Sequence, residues 1–311
     1  MKRALLSIGT NSTRLLALDG ERRIAGESRG TRLGTGIGAA GAIDPDARAR
    51  TLEALAEYVQ GCRRLGVEAI DAISTSVLRR AVDGPAFSAE VAALAGVEPR
   101  ILSGDDEAAY AFLGATRAAT QGGLVGVLDV GGGSAELAVD DPLRARANAS
   151  VARTLSVEIG AVRLSERYPA LLGARALPST ERLDVTAQAR ADAAAVLAPF
   201  AALIGFPTLL AVGGTVFTAA MMLARGAADG VQLTRGARGS LIDALLARDL
   251  AGRKTMAHIR PQRADILPAG LIVVDEACRI LGLDTVTAVE ADLLLGYLTS
   301  PAYRAVPFGG Q

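Results

Sequence analysis

The chain has 311 residues and a mass of 31.8 kDa, the size of one large domain or two ordinary ones. Half of it is apolar and 21% is charged, so a sizeable core can form and chain-wide disorder is excluded. Thirty-three Lys and Arg balance 33 Asp and Glu to a net charge of zero, which leaves no electrostatic footprint of a duplex nucleic-acid binder.

Only Lys2 and Lys254 are lysines, so nearly every cation is an arginine, which suits bidentate binding of phosphate and is equally the product of a GC-rich genome. Cys62 and Cys278 lie far apart and the one histidine is His258, so no structural zinc site is expected and a reducing, cytoplasmic compartment is expected. The apolar run after Lys2 and Arg3 breaks at Ser7-Ile8-Gly9, too short for a secretory signal. The 32 residues from Ala193 to Ala224 carry no charge, long enough for a membrane span. Pro199, Gly205, Pro207 and Gly213-Gly214 cut that stretch into a helix end, a strand at Thr208–Val212, a turn and a helix start, so no membrane span is expected.

In chain order, Ala4–Ile8 and Leu15–Leu18 read as paired strands, Asp46–Leu65 as a helix with apolar residues at 52, 55, 58, 59 and 62, and Ala69–Ser74 as a strand. Asp105–Ala115 reads as a helix with Ser103 as its cap. Strands follow at Leu124–Asp129, Glu136–Val139 and Val151–Val157, then helices. This alternation predicts a mixed α/β protein with covered sheets.

A repeat organises the chain. Ser7-Ile-Gly-Thr-Asn-Ser-Thr-Arg-Leu-Leu-Ala-Leu-Asp19 aligns without a gap on Asp129-Val-Gly-Gly-Gly-Ser-Ala-Glu-Leu-Ala-Val-Asp-Asp141. Each copy is a strand, a glycine-containing polar turn and a second strand, and a duplicated α/β unit would place the two turns facing one another across a cleft. Gly131-Gly132-Gly133 permits positive φ and exposes successive N–H groups, an anion-binding concavity to which Ser12 and Ser134 would each add a hydroxyl. An ordinary glycine hairpin explains either copy alone; both together favour phosphate. No G-x-x-x-x-G-K-[ST] occurs, and a strand follows Gly133, so neither a P-loop nor a dinucleotide fingerprint is present. A third turn, Gly213-Gly214-Thr215, opens a helix and is either a second anion site or a tight strand–helix turn. Asp129 and Glu136 could hold a hard cation such as magnesium. Asp105 and Asp106 read as helix-dipole partners, and chemistry alone leaves Glu107 unassigned.

These motifs, in this order, resemble the exopolyphosphatase/guanosine pentaphosphate phosphohydrolase (Ppx/GppA) family of the actin–sugar kinase–Hsp70 superfamily. The likeness runs through Ile8–Arg14, Arg32–Gly36, Ser74–Arg79, Leu102–Ala108, Asp129–Glu136, Ile159–Leu164, Val212–Thr215 and Arg263–Ile266. It implies duplicated actin-like (RNase H-like) domains, mixed β-sheets flanked by helices, with the active site in the interdomain cleft. The first domain is expected over 1–120 plus 298–311 and the second over 121–297. By resemblance, Glu107 is the water-activating base, and Asp129 and Glu136 hold Mg2+. Asn11, Ser12, Arg14, Arg79, Gly131, Gly132, Gly133 and Ser134 grip the phosphate chain, and Gly213, Gly214 and Thr215 receive a nucleotide or further phosphates. Ser7 stands where the family has an Asp that helps hold the metal, Ala135 where Thr is common, and Arg80 where Asp is common.

The activity implied is exopolyphosphatase action, releasing terminal orthophosphate from inorganic polyphosphate, with short chains expected because the additional C-terminal domains of longer members are missing. The alternatives are a guanosine pentaphosphate 5'-phosphohydrolase acting in ppGpp metabolism, a kinase-like phosphotransferase, or a catalytically impaired phosphate-binding sensor, the last motivated by Ser7. The partner is thus inorganic polyphosphate or guanosine pentaphosphate, not nucleic acid or membrane, and the resemblance implies a homodimer.

Overall fold

In the computed structural model, residues 1–308 are described, without the side chains of Ala39 and Ala40. The strands are, in chain order, β1 (Lys2–Ile8), β2 (Thr13–Asp19), β3 (Arg22–Arg29), β4 (Ala69–Ser74), β5 (Arg100–Ile101), β6 (Val125–Val130), β7 (Ala135–Asp140), β8 (Arg153–Val157), β9 (Thr208–Val212), β10 (Gln232–Thr234), β11 (Thr285–Ala288) and β12 (Val306–Pro307). Packing divides the chain into two units, Met1–Asp106 with Tyr297–Gln311, and Glu107–Gly296.

In the first unit the sheet runs β12-β4-β1-β2-β3, with β5 beside β4. Strands β1, β2 and β3 form an antiparallel meander and β4 joins β1 in parallel. All six residues of β4 are buried, the pattern of a strand covered on both faces. Helix Pro45–Arg64 covers this sheet, burying Leu55, Tyr58, Val59 and Cys62 in one core with Leu6, Ile8 and Leu15. Its start is fixed locally: Asp44 accepts a hydrogen bond from the Ala47 N–H at 2.9 Å and Pro45 occupies the first helical position.

The second unit repeats the plan. Strands β6, β7 and β8 form an antiparallel meander, β9 joins β6 in parallel, and the order is β10-β11-β9-β6-β7-β8. Helix Leu267–Leu281 is buried along almost its whole length. It therefore carries its charges inward, where Asp275 and Glu276 are paired with Arg190, Arg238 and Arg279. The charge-free stretch 193–224 resolves into the end of helix Ser179–Leu197, a 3₁₀ turn, β9 and helix Gly214–Leu223. Among the described residues no helix is long and apolar enough to cross a membrane.

The duplicated mixed α/β architecture is as expected. Helix Gly104–Ala115, assigned by its sequence to the first domain, is grouped with the second from Glu107 onward. The reason is close packing within that unit: a methyl group on Gly114 would lie 2.0 Å from the Asp292 carbonyl oxygen, and Arg146 donates to the Thr116 and Ala119 carbonyls. Strand β3 was not anticipated, because its exposed, charged residues lack alternation.

The C-terminal segment is held to the first unit by the β12–β4 pairing and by a buried carboxylate of β4; residues 309–311 of the expected tail lie outside the described residues. Asp71, fully buried, accepts from the Tyr297 hydroxyl and the Arg304 N–H, both at 2.8 Å, and from the Arg304 guanidinium at 3.1 Å. Replacing Tyr297 by Phe leaves that carboxylate short of a donor, and such a deficit costs about 1–3 kcal/mol. Urea denaturation of Y297F is expected to show a loss of that size.

Candidate functional site

Each unit builds the same turn. Gly9 donates its N–H to the Ser12 carbonyl at 3.0 Å, and Gly131 to the Ser134 carbonyl at 3.0 Å. The register repeats as well: Ile8 faces Thr13 and Ser7 faces Arg14, while Val130 faces Ala135 and Asp129 faces Glu136. Structurally, then, Ser7 and Arg14 are the first unit's counterparts of Asp129 and Glu136.

Positive φ does not shape these turns. None of Gly9, Gly131, Gly132 and Gly133 lies in the left-handed region, contrary to the expectation from their glycine content. What shapes the second turn is donation to its carbonyls. Ala161 N–H donates to the Gly131 oxygen at 2.9 Å, and the N–H groups of Val162 and Arg163 donate to the Gly132 oxygen at 2.9 and 3.1 Å. Arg163 Nε donates to the Gly133 oxygen at 3.0 Å. A peptide is planar and trans, so holding each carbonyl on one side aims the next residue's N–H to the other. Three consecutive N–H groups, of Gly132, Gly133 and Ser134, are thereby turned the same way. A row of N–H groups turned one way is the kind of concavity that can receive an anion. Gly160 makes the approach possible, since a methyl there would lie 2.5 Å from the Gly132 carbonyl carbon.

The first turn is held likewise. Gly34 N–H donates to the Thr10 oxygen at 2.9 Å and Arg32 N–H to the Asn11 oxygen at 3.0 Å, Arg32 adopting φ of 56° to do so. Asn11 is buried; its Nδ2 donates to Ser12 Oγ at 3.1 Å, and its Oδ1 has no hydrogen-bond partner among the described residues. A half-turn of the amide would let it accept from the Ser12 hydroxyl and put NH2 where Oδ1 now stands. Next to this turn, Thr75 N–H donates to the Ile8 oxygen, and Arg79 on the helix Ser76–Arg80 donates to the Leu102 carbonyl. Asn11, Ser12, Arg14 and Arg79 thus all belong to the first unit.

The acidic groups belong to the second unit. Ser103 and Asp106 cap the helix Gly104–Ala115 reciprocally, at 3.0 and 3.2 Å, and the first turn carries Glu107 into a buried position, 5% exposed. Glu136 is 2% exposed and accepts from Ser156 Oγ at 2.8 Å. Burial holds its carboxyl well above the usual 4.5, and the charges of Glu107 and then Asp129 push it the same way, against the lowering effect of hydrogen bonds from Ser134 and Ser156. The Ser134 hydroxyl is therefore engaged by Glu136. Among the described residues no group of three or more His, Cys, Asp or Glu is arranged to hold a metal by itself. Magnesium is usually bound by one or two carboxylates with waters and substrate phosphates, and a facing, charge-stressed Asp129–Glu136 pair fits that donor set.

The third turn touches the second. A methyl on Gly213 would lie 2.7 Å from Asp129 Oδ1, and Gly213 has φ of 91°, so only glycine serves there. Arg263 lays its guanidinium against Gly214. Thr215 is 1% exposed, with its hydroxyl packed toward Gly270. Gly160, Arg163, Ser156 and Arg263 had no role assigned from sequence, although three of them lie in the motifs 159–164 and 263–266. Both cysteines are buried, with thiols pushed up to about 11, and offer no nucleophile.

An acid whose folded value is raised destabilises the fold as pH climbs from its unfolded value through the folded one, and the penalty persists above. Glu136→Gln removes that penalty. Its thermal midpoint is expected to exceed wild type by about 2–4 °C per kcal/mol relieved at pH 7 without added metal, and to match it near pH 4. Equal midpoints at both pH values would contradict the strain assigned to Glu136.

The family model of the Ppx/GppA phosphatase family matches residues 19–300. Exopolyphosphatase 2 of Mycobacterium tuberculosis is 30% identical over 324 residues, covering 96% of this chain and 98% of that protein. The guanosine-5'-triphosphate,3'-diphosphate pyrophosphatase of Vibrio atlanticus is 25% identical over 298 residues, 94% of this chain and 58% of that one. The crystal structure of an exopolyphosphatase-like protein superposes with a TM-score of 0.85 at 24% identity, covering 97% of this chain and 99% of its own, and so shares the fold. With two copies of one strand–turn–strand plan and a family match over most of its length, the chain belongs to the Ppx/GppA phosphatase family.

Proposed function

We propose that the chain hydrolyses a terminal phosphoanhydride bond of inorganic polyphosphate, releasing orthophosphate. The observation that carries this reading is the buried Glu107 within electrostatic reach of the facing Asp129–Glu136 pair, beside a turn that aims three N–H groups in one direction. Phosphoryl transfer asks for positioning and electrostatic stabilisation more than for covalent chemistry, and this set supplies both.

Glu107 accepts a proton from a water as that water's oxygen bonds to the terminal phosphorus. The bridging P–O bond breaks, and the shortened chain leaves as an anion. The N–H groups of Gly132, Gly133 and Ser134 meet charge growing on the terminal phosphoryl oxygens. Asn11, Ser12, Arg14 and Arg79 bind phosphates of the chain, and the backbone of Gly213-Gly214-Thr215 offers a further phosphate or nucleotide subsite. Asp129 and Glu136 would hold Mg2+, which when bound neutralises phosphate charge and relieves the repulsion among the three carboxylates.

Polyphosphate is favoured over guanosine pentaphosphate because the relative named exopolyphosphatase aligns along 98% of its length, whereas the chain spans 58% of the Vibrio relative named for the guanosine substrate. Orthophosphate release from defined-length polyphosphates and from guanosine pentaphosphate, side by side and with and without magnesium, tests the assignment; faster turnover of the guanosine substrate would reverse the order.

General-base assistance is worth ~10²–10⁴-fold, so Glu107→Gln should cut kcat by that factor and leave KM within threefold. A wild-type rate in E107Q would remove Glu107 from the role. Arg14→Ala and Arg79→Ala should raise KM for polyphosphate and flatten its salt dependence, since each removes one charge from the phosphate contacts. Unchanged KM values in both would reject that assignment.

A further inference from the structure

We infer that Arg163 is a positioning residue that holds the peptide between Gly133 and Ser134 so that the Ser134 N–H points at the bound phosphoryl group. The inference rests on the reading that the Gly131–Ser134 turn receives phosphate. The carbonyls of Gly131 and Gly132 are held by main-chain N–H groups of Ala161, Val162 and Arg163, which any sequence supplies. The Gly133 carbonyl is held by a side chain, Nε of Arg163 at 3.0 Å, and so by the choice of residue. The other arm of the same guanidinium is tied to the Glu158 carboxylate, which fixes its plane.

The Gly133–Ser134 peptide needs such a hold. Glycine on its N-terminal side offers little steric resistance to rotation of the peptide plane. Rotation by a half-turn would replace an N–H by a carbonyl oxygen facing a polyanion, turning an attractive dipole into a repulsive one. Donation from Arg163 opposes that rotation by occupying the carbonyl on the far side. Sequence places Arg163 in the segment Ile159–Leu164, thirty residues beyond the turn, where nothing local connects it with Gly133. Its 29% side-chain exposure and the 52% exposure of Glu158 make their ion pair a weak contributor to stability, so the hydrogen bond is the part that bears on function.

The test compares Arg163→Met, which fills the space without a donor, with Arg163→Gln, whose amide can still donate to the Gly133 carbonyl without carrying charge. Phosphate release from a defined-length polyphosphate gives kcat and KM, calorimetry gives tripolyphosphate affinity, and thermal midpoints show that both variants fold. Loss of a supporting hydrogen bond typically costs about 10- to 100-fold, and R163M is expected to lose that much in kcat with a smaller change in KM. R163Q should recover most of it, and Glu158→Gln should stay within threefold of wild type. A wild-type kcat in R163M overturns the inference. So does an R163Q as impaired as R163M with an altered salt dependence, which would make Arg163 a direct charge contact. A wild type that neither releases phosphate nor binds tripolyphosphate overturns the proposed function and this inference together; an active wild type with an unaffected R163M overturns the inference alone.

Discussion

The planarity of the peptide bond is the constraint on which the candidate site depends. Because a carbonyl and the following N–H are locked on opposite sides of one plane, the segment Gly160–Arg163 need only hold the oxygens of Gly131, Gly132 and Gly133 to direct three N–H groups away from itself. The first unit uses the same device with Arg32 and Gly34 on the oxygens of Asn11 and Thr10. In both cases a segment that never needs to touch a ligand decides what the turn presents. A buried carbonyl left unheld would have been costly in any case, so the bonds that stabilise the turn also set which way its N–H groups point.

Against that row of donors stands a concentration of negative charge. Glu136 is enclosed, faces Asp129 across the ladder, and lies within the field of Glu107. Two serine hydroxyls offset only part of the strain. Such an arrangement weakens the fold taken alone and is a recurrent mark of a functional site, because the stress is relieved by a cation or by a proton in transit. Gly213 belongs to the same compromise. With Asp129 Oδ1 pressed against it, the third turn must lack a side chain and must take a backbone conformation that other residues avoid.

The repeat also shows how the two units have diverged at one register position. Where the second unit sets Asp129 against Glu136, the first sets Ser7 against Arg14. One strand–turn–strand frame thus carries carboxylates in one copy and a hydroxyl with a cation in the other.

Local pattern alone determined the strand–turn–strand repeat, the helix near 46–65, the Ser103 cap of the helix near 105–115, the dissection of the charge-free stretch 193–224 and the residue types of the turns. These follow from periodicity, capping chemistry and glycine content, whose effects act over a few neighbours. The exposed strand β3 escaped that reading because a strand buried on neither face has no reason to alternate. Tertiary structure decided which carbonyls are held, why glycine is needed at 160 and 213, that the Ser134 hydroxyl turns to Glu136, and that helix 104–115 is shared between packing units. Hydrogen bonds and Coulomb forces depend on distance in space, and Glu107 and Arg163 reach the turn that Asp129 and Glu136 flank in sequence only after the chain has folded.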